Sequence, residues 1–194
     1  MITTLSPYAK IIEDKNIIFR GVNMLSEKLE LALNEQITFE FYSSYTYLAM
    51  AAFCESSDLS GFANFFRVQA KEELDHATKL YDYVFQKGGT VVLGEIAKPK
   101  EKYDSMLDVF NTGLSHEREV TRRFYNLADI ASEEREHATM SFLRWFIDEQ
   151  VEEEDNFNSI VKKVRRCEEN PAALYLLDDE LAARVYTSLN NTNN

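Results

Sequence analysis

One stretch decides how the chain folds: Lys71-Glu72-Glu73-Leu74-Asp75-His76. On a helix, Glu73 and His76 lie one turn apart on the same face. A carboxylate and an imidazole at this spacing can bind one hard or borderline metal ion together. The motif is short and also arises by chance on surface helices, so a metal site here needs further ligands from other parts of the chain.

The composition favours long helices in a single domain. The chain has 194 residues, with only six Gly and three Pro. This length can bury a real hydrophobic core, and long stretches without helix breakers are typical of an all-α protein. We therefore expect an all-α fold.

Charge and hydropathy exclude several classes of partner. The formal net charge of −12 disfavours nucleic acid as a partner and suits cations. No run of about 18 apolar residues is present, so we expect no membrane-spanning segment. Cys54 and Cys167 match no zinc or redox spacing, which indicates reduced thiols in a cytoplasmic protein.

Apolar periodicity and turn residues predict four long helices and a short fifth one. The predicted helices cover about residues 26–56, 60–87, 104–131 and 136–166, and the last one follows Asn170-Pro171. The connection between the second and third helices is long enough to cross the whole bundle. We assign residues 1–23 to an N-terminal extension, either disordered or docked, residues 24–190 to the domain, and residues 191–194 to a tail.

Acidic residues lie near the midpoint of each of the four long predicted helices. In a bundle of similar helices these midpoints meet at one level. The residues found there are Glu40, Glu73 with His76, Glu117, and the run Glu149-Gln150-Val151-Glu152-Glu153. Glu40 interrupts an apolar face, where a bare buried charge would cost several kcal/mol. These positions therefore predict a buried metal centre.

The predicted centre has the ligands that a pair of iron ions needs. Two ions about 3.5–4 Å apart need a bridging carboxylate and terminal ligands on each side. Glu73 is the natural bridge, with Glu40 and His76 completing one ion and Glu117 the other. Oxygen ligands with one nitrogen suit Fe(II).

With these residues in place, the chain from about residue 24 to residue 186 resembles the non-haem bacterial-type ferritins. The motifs that carry the resemblance are Phe39-Glu40-Phe41-Tyr42-Ser43-Ser44, Glu72-Glu73-Leu74-Asp75-His76, Glu117, and Trp145-Phe146-Ile147-Asp148-Glu149-Gln150-Val151-Glu152-Glu153. The resemblance implies a ferritin-like four-helix bundle with a long crossover between helices 2 and 3 and a short fifth C-terminal helix.

The resemblance also implies roles for individual residues. Glu40, Glu73 and His76 would bind one iron ion, and Glu73, Glu117 and Gln150 would face the second. A third iron position would use Glu72, Glu149, Glu152 and Glu153. Tyr47 matches a tyrosine beside the centre that could donate an electron, although core packing alone would also explain it.

The function implied is iron storage and detoxification by a ferroxidase. Fe(II) would be oxidised by O2 or H2O2, and ferric mineral would be kept inside a cytoplasmic shell of 24 identical subunits. No haem is expected, because Leu74 stands where haem-binding relatives carry Met. We also count Leu74 among the apolar contacts of the second helix.

Two other functions remain open at this point. A rubrerythrin-like di-iron oxidase or peroxidase would need a second Glu-x-x-His on the fourth helix, where this chain has Glu153 three residues after Gln150. A non-catalytic helical scaffold that binds metal at its acidic centre is the other alternative. We further expect His116 at the surface and Trp145 in the core, and we interpret Glu134 and His137 as a solvated helix junction.

Overall fold

The computed structural model describes residues 25–167 and 169–189, and the regular structure of this part is helical. The helices are α1 (Glu27–Ser56), α2 (Ser60–Gln86), α3 (Met106–Glu133), α4 (His137–Cys167) and α5 (Pro171–Ala182). The predicted all-α fold is confirmed, with four long helices and a short fifth one. The predicted extension 1–23 and tail 191–194 lie outside the described residues. None of the described helices is long and apolar enough to cross a membrane.

Side-chain caps fix where three of the helices begin. The Ser26 hydroxyl accepts a hydrogen bond from the Leu29 amide at 3.0 Å, and Ser105 accepts one from Asp108. Asn170 caps α5 through the Ala173 amide, with a proline at the first helical position. These bonds satisfy amides that the first helical turn leaves without a partner.

The connection between α2 and α3 runs alongside α1. The Asn34 side chain donates to the Thr90 carbonyl at 2.9 Å and accepts from the Val92 amide at 2.7 Å. One helical turn further on, the Gly94 amide donates to the Thr38 hydroxyl at 3.0 Å. Both segments advance in the same direction, so the connection carries the chain back along the bundle. The predicted long crossover is therefore confirmed, and α3 runs parallel to α2.

The hydrophobic core is divided into two clusters. The first lies at the α5 end of the bundle and is dominated by aromatic rings: Tyr47, Phe62, Phe66, Phe110 and Phe157. The second lies at the other end and includes Leu33, Ile37, Leu80, Phe124 and Phe146. The residues between them on each helix are buried and polar, and they form the layer described below. One expectation was wrong: the Leu74 side chain is 46% exposed and belongs to neither cluster.

We expect Gly61→Ala to detach α5 from the bundle. A Cβ atom at this buried position of α2 would lie 1.8 Å from the Asp178 carbonyl oxygen of α5. Overpacking of this kind costs about 1–3 kcal/mol or more. Hydrogen exchange in residues 171–182 should therefore accelerate. Ser60→Ala, at the exposed neighbouring position, is the matched control, and equal exchange in the two variants would contradict the expectation.

Candidate metal centre

Six polar side chains from all four long helices fill the layer between the two apolar clusters. They are Glu40 of α1, Glu73 and His76 of α2, Glu117 of α3, and Gln150 and Glu153 of α4, and each is at most 4% exposed. The spacing along each helix turns these side chains inward, because the apolar neighbours on the same face are buried with them. The structure thus brings the midpoint residues of the four helices to one level.

Glu40, Glu73 and His76 form the part of the layer that is best arranged for a cation. One ligand atom from each lies within 4.8 Å of the other two. His76 Nδ1 lies 3.3 Å from Glu73 Oε2, and Gln36 donates to Glu40 Oε1 at 2.7 Å. The other Glu40 oxygen, Oε2, is buried and has no donor among the described residues except the Glu73 carboxyl, which can share a proton with Glu40 when no cation is bound. A cation bound there would satisfy this acceptor.

Glu117 forms the second half of the centre within a hydrogen-bond network. The Tyr47 hydroxyl donates to Glu117 Oε1, and Gln150 Nε2 donates to Glu117 Oε2 at 2.9 Å. Both carboxylate oxygens therefore already have donors, so a cation binding here would have to share or replace one of them. Metal binding at this half would require a larger local rearrangement than at Glu40 and His76.

Burial and the nearby like charges disfavour ionisation of the carboxyl groups in this layer. Burial, with Glu73 as a second cause, raises the pKa of Glu40 to about 8. Burial and the Glu153 charge raise the pKa of Glu117 to about 8. The pKa of Glu73 is raised well above its ordinary value by burial and then by Glu117. Like charges this close cannot all ionise without a counter-ion. A divalent cation would replace the protons that these groups retain.

The four residues predicted for a third iron position do not form one group of metal-binding side chains in the described structure. Glu72 receives a hydrogen bond from Arg184 at 2.6 Å, and Glu153 receives one from Gln69 at 2.7 Å. Glu149 is partly buried and Glu152 is exposed. In the described chain, only Glu40, Glu73 and His76 bring three metal-binding side chains within coordination distance of one another. The third position therefore stays a prediction.

His116 lies elsewhere than predicted, whereas Trp145 packs against the second apolar cluster of the core, as expected. His116 is partly buried, stacks on Phe39 with ring centroids 5.3 Å apart, and lies 2.8 Å from the Ser43 hydroxyl. The surface position expected for His116 is therefore wrong, and burial lowers its pKa to about 4. Trp145 is only partly buried, and its ring lies 5.5 Å from the His76 ring.

The interpretation of Glu134 and His137 as a helix junction is confirmed. Glu134 follows the last residue of α3, and His137 is the exposed first residue of α4.

Sequence reasoning missed three residues that contact the centre. Gln36 and Gln69 orient Glu40 and Glu153, and Gln36 lies four residues before Glu40 on the same helix. That spacing could have identified Gln36, because side chains four residues apart are neighbours on a helix. Arg184 reaches Glu72 from beyond α5. No local sequence pattern indicates that the chain turns back along α2 after α5.

The sequence is similar to proteins of one family over most of its length. The family model described as Ferritin, a ferritin-like domain, matches residues 30–167. The bacterial non-heme ferritin of Staphylococcus saprophyticus is 47% identical over 163 residues, which cover 84% of this chain and 98% of that protein. The bacterial non-heme ferritin of Staphylococcus epidermidis is 45% identical over the same shares of both chains.

Two solved structures extend the comparison to three dimensions. An engineered closed form of the Archaeoglobus fulgidus ferritin superposes with a TM-score of 0.83 at 45% identity, covering 84% of this chain and 99% of that one. The structure described as an open pore ferritin from the same archaeon gives a TM-score of 0.82 at 45% identity, covering 83% and 98%. The similarity therefore extends over nearly the full length of both solved chains.

Proposed function

This chain belongs to the ferritin family, and on that premise we propose that it oxidises Fe(II) at the buried centre and stores the ferric product as mineral. One observation carries the proposal. Glu40, Glu73 and His76 are buried together, with one ligand atom of each within 4.8 Å of the other two. Two buried carboxyl groups this close can ionise together only with a counter-ion, and a divalent cation is a counter-ion that all three side chains can bind.

The proposed roles follow from the position of each side chain. Glu73 lies beside Glu40 and His76, and the Glu117 charge is close enough to raise its pKa, so we propose that Glu73 bridges two Fe(II) ions. Glu40 and His76 complete one ion, and Glu117 with Gln150 faces the other. The second ion has fewer prepared ligands, and we propose that it binds more weakly. This suits iron that passes through the centre toward a store.

Tyr47 is placed to influence the second ion through Glu117. Its hydroxyl donates to the Glu117 carboxylate, and its ring packs against Phe66 and Phe157. We propose that Tyr47 holds Glu117 in position and, when only one Fe(II) is bound, can supply the second electron of O2 reduction together with its phenol proton. Burial and the surrounding carboxylates raise the pKa of Tyr47 well above its ordinary value, so the phenol keeps its proton while it holds Glu117.

The proposed reaction balances electrons between two iron ions and one oxidant. Each Fe(II) gives one electron, and O2 takes both together with two protons to leave as H2O2. When H2O2 is the oxidant, the same two electrons and two protons give water. Carboxylate ligands stabilise the ferric product, because hard oxygen anions bind the more highly charged ion better.

The storage part of the proposal requires a closed assembly. Relatives named as ferritins and the ferritin solved structures support a homo-oligomeric shell, which we propose contains 24 subunits in the cytoplasm. The net charge of −12 would attract Fe(II) toward such a shell. The exposed apolar residues Tyr175 and Leu176 of α5 are available for contacts between subunits.

The proposal is tested by adding O2 to anaerobic protein loaded with two Fe(II) per chain. Rapid oxidation that saturates at two Fe(II) per chain, together with a native mass near 24 subunits, is the expected result. Oxidation at the rate of buffer alone would favour a metal-binding scaffold. Rapid oxidation by a small bundle that forms no mineral would favour a rubrerythrin-like oxidase or peroxidase.

A further inference from the structure

The chain beyond α5 returns along α2 and forms a C-terminal strap, residues 183–189. The Asn64 side chain donates to the Arg184 carbonyl at 2.9 Å and fixes the start of the strap. Further along, the Tyr186 hydroxyl donates to the Asp75 carboxylate at 2.7 Å, and the Leu189 amide donates to the same oxygen at 3.2 Å. The strap is therefore held at both ends on α2, on either side of Glu72.

Between these two anchors, the strap places a cation beside the metal centre. Arg184 Nη2 donates to Glu72 Oε2 at 2.6 Å, and the two side chains are 22% and 24% exposed. The guanidinium carbon also lies 4.4 Å from the centroid of the Phe65 ring, which holds it by a cation–π contact. A pair with this little solvent is screened less than a surface ion pair.

The guanidinium is only partly satisfied in this position. Arg184 Nη1 is buried and has no hydrogen-bond acceptor among the described residues. The contact with Glu72 is therefore single, where an arginine and a carboxylate can form two parallel hydrogen bonds. A small divalent cation carries twice the charge and can bind Glu72 more closely, so it can compete for the same carboxylate.

We propose that Arg184 is a built-in counter-ion for Glu72, and that a third divalent cation must displace it to bind there. The inference rests on the proposed function, because it concerns a carboxylate next to the iron pair. Arg184 competes with the cation for Glu72 and so weakens binding at the third position.

The Glu153 carboxyl belongs to the same electrostatic group. Burial and then Glu72 raise the pKa of Glu153 to about 7, and Arg184 acts against this rise. Gln69 donates to Glu153 from the neighbouring turn of α2. Arg184 therefore pairs directly with Glu72 of α2 and acts only at a distance on Glu153 of α4.

The test compares Zn(II) binding by the full-length protein and by Arg184→Gln, using equilibrium dialysis. Zn(II) is redox-inactive, so binding is measured without oxidation. We expect the third Zn(II) to bind about tenfold more tightly or better in the variant, because a charge-assisted hydrogen bond contributes roughly one to two factors of ten. Equal affinity for the third Zn(II) in the two proteins would overturn the proposal.

Three further variants separate competition from a change of structure. Arg184→Lys keeps the cation and should keep the third Zn(II) weak. Glu72→Gln combined with Arg184→Gln should remove the gain, and a gain that persisted without Glu72 would also overturn the proposal. Arg67→Gln removes the same charge from an exposed pair between Arg67 of α2 and Glu55 of α1, and it should leave the affinity for the third Zn(II) unchanged.

An error in the proposed iron oxidation would give a different experimental result from an error in the Arg184 proposal. If the centre did not oxidise iron, rapid Fe(II) oxidation would be absent from every variant and from the unmodified protein. The difference in Zn(II) affinity between the unmodified protein and Arg184→Gln would still be measurable, because Zn(II) binding requires no oxidation.

Discussion

Replacing Glu73 with alanine is expected to slow Fe(II) oxidation by about 100-fold or more while the assembly is retained. Glu73 lies 3.3 Å from His76 and belongs with Glu40 to the same group of candidate ligands, and the Glu117 charge raises its pKa. Its removal therefore leaves neither iron ion with a complete set of ligands. Assembly should persist, because Glu73 is buried within one subunit and makes no contact at its surface.

The experiment needs binding and oxidation to be measured separately. Trp145 is the only tryptophan, and its ring lies 5.5 Å from the His76 ring, so its fluorescence should be quenched when Co(II) binds. Stopped-flow absorbance then gives the oxidation rate. Glu73→Gln keeps the side-chain volume and should lose the same rate, whereas Asp82→Ala, at an exposed acid of α2, should keep it. Undiminished oxidation in Glu73→Ala would exclude Glu73 as the bridging ligand.

The stability of the metal-free protein is expected to fall as the pH rises from 5.5 to 8.5. The pKa values of Glu40 and Glu117 are about 8 in the folded protein and 4.5 in an exposed carboxyl group. In this window the folded state binds more protons than the unfolded state, so the free energy of unfolding decreases with pH. Each group keeps its extra proton over roughly 2.3 pH units of this window, so at about 1.4 kcal/mol per unit the two groups together should lower the free energy of unfolding by roughly 6 kcal/mol.

Calorimetry at several pH values, with and without Zn(II), measures this effect. Saturating Zn(II) should remove most of the pH dependence, because the cation replaces the protons. Glu40→Gln should flatten the profile of the metal-free protein, and Glu35→Gln, at an exposed position of the same helix, should not. A melting temperature that rises with pH over this range would show that the buried carboxyl groups are ionised without metal.

Much of the fold could be predicted from the sequence because its signals are local. Ser26 and Asn170 mark helix starts through hydrogen bonds that span only three residues. The sequence predicted that Glu40, Glu73 and Glu117 lie at the same height along the bundle. Each is near the midpoint of its helix, and helices of similar length in one bundle place their centres together. His76 could be predicted because it lies one turn from Glu73 on the same helix face.

What could not be predicted depends on contacts between distant parts of the chain. Arg184 pairs with Glu72 because the chain turns back after α5, and no periodic pattern indicates that turn. His116 looked exposed beside Glu117, yet the α1 ring of Phe39 covers it. Leu74 looked apolar and buried, but it lies on the side of α2 opposite the layer. The positions of all three side chains depend on which parts of the folded chain pack against one another.

The division of the core by a buried acidic layer has a consequence for folding cooperativity. Without a cation, the carboxyl groups of the layer retain protons, and the layer contributes desolvation where a continuous core would contribute packing. The cluster around Phe110 and the cluster around Phe124 are then joined by the helix backbones and by the hydrogen bonds of Tyr47 and Gln150 to Glu117. We expect each cluster to open as a partly independent unit in hydrogen exchange. A cation bound by side chains from several helices would join the two clusters more strongly and make unfolding more cooperative.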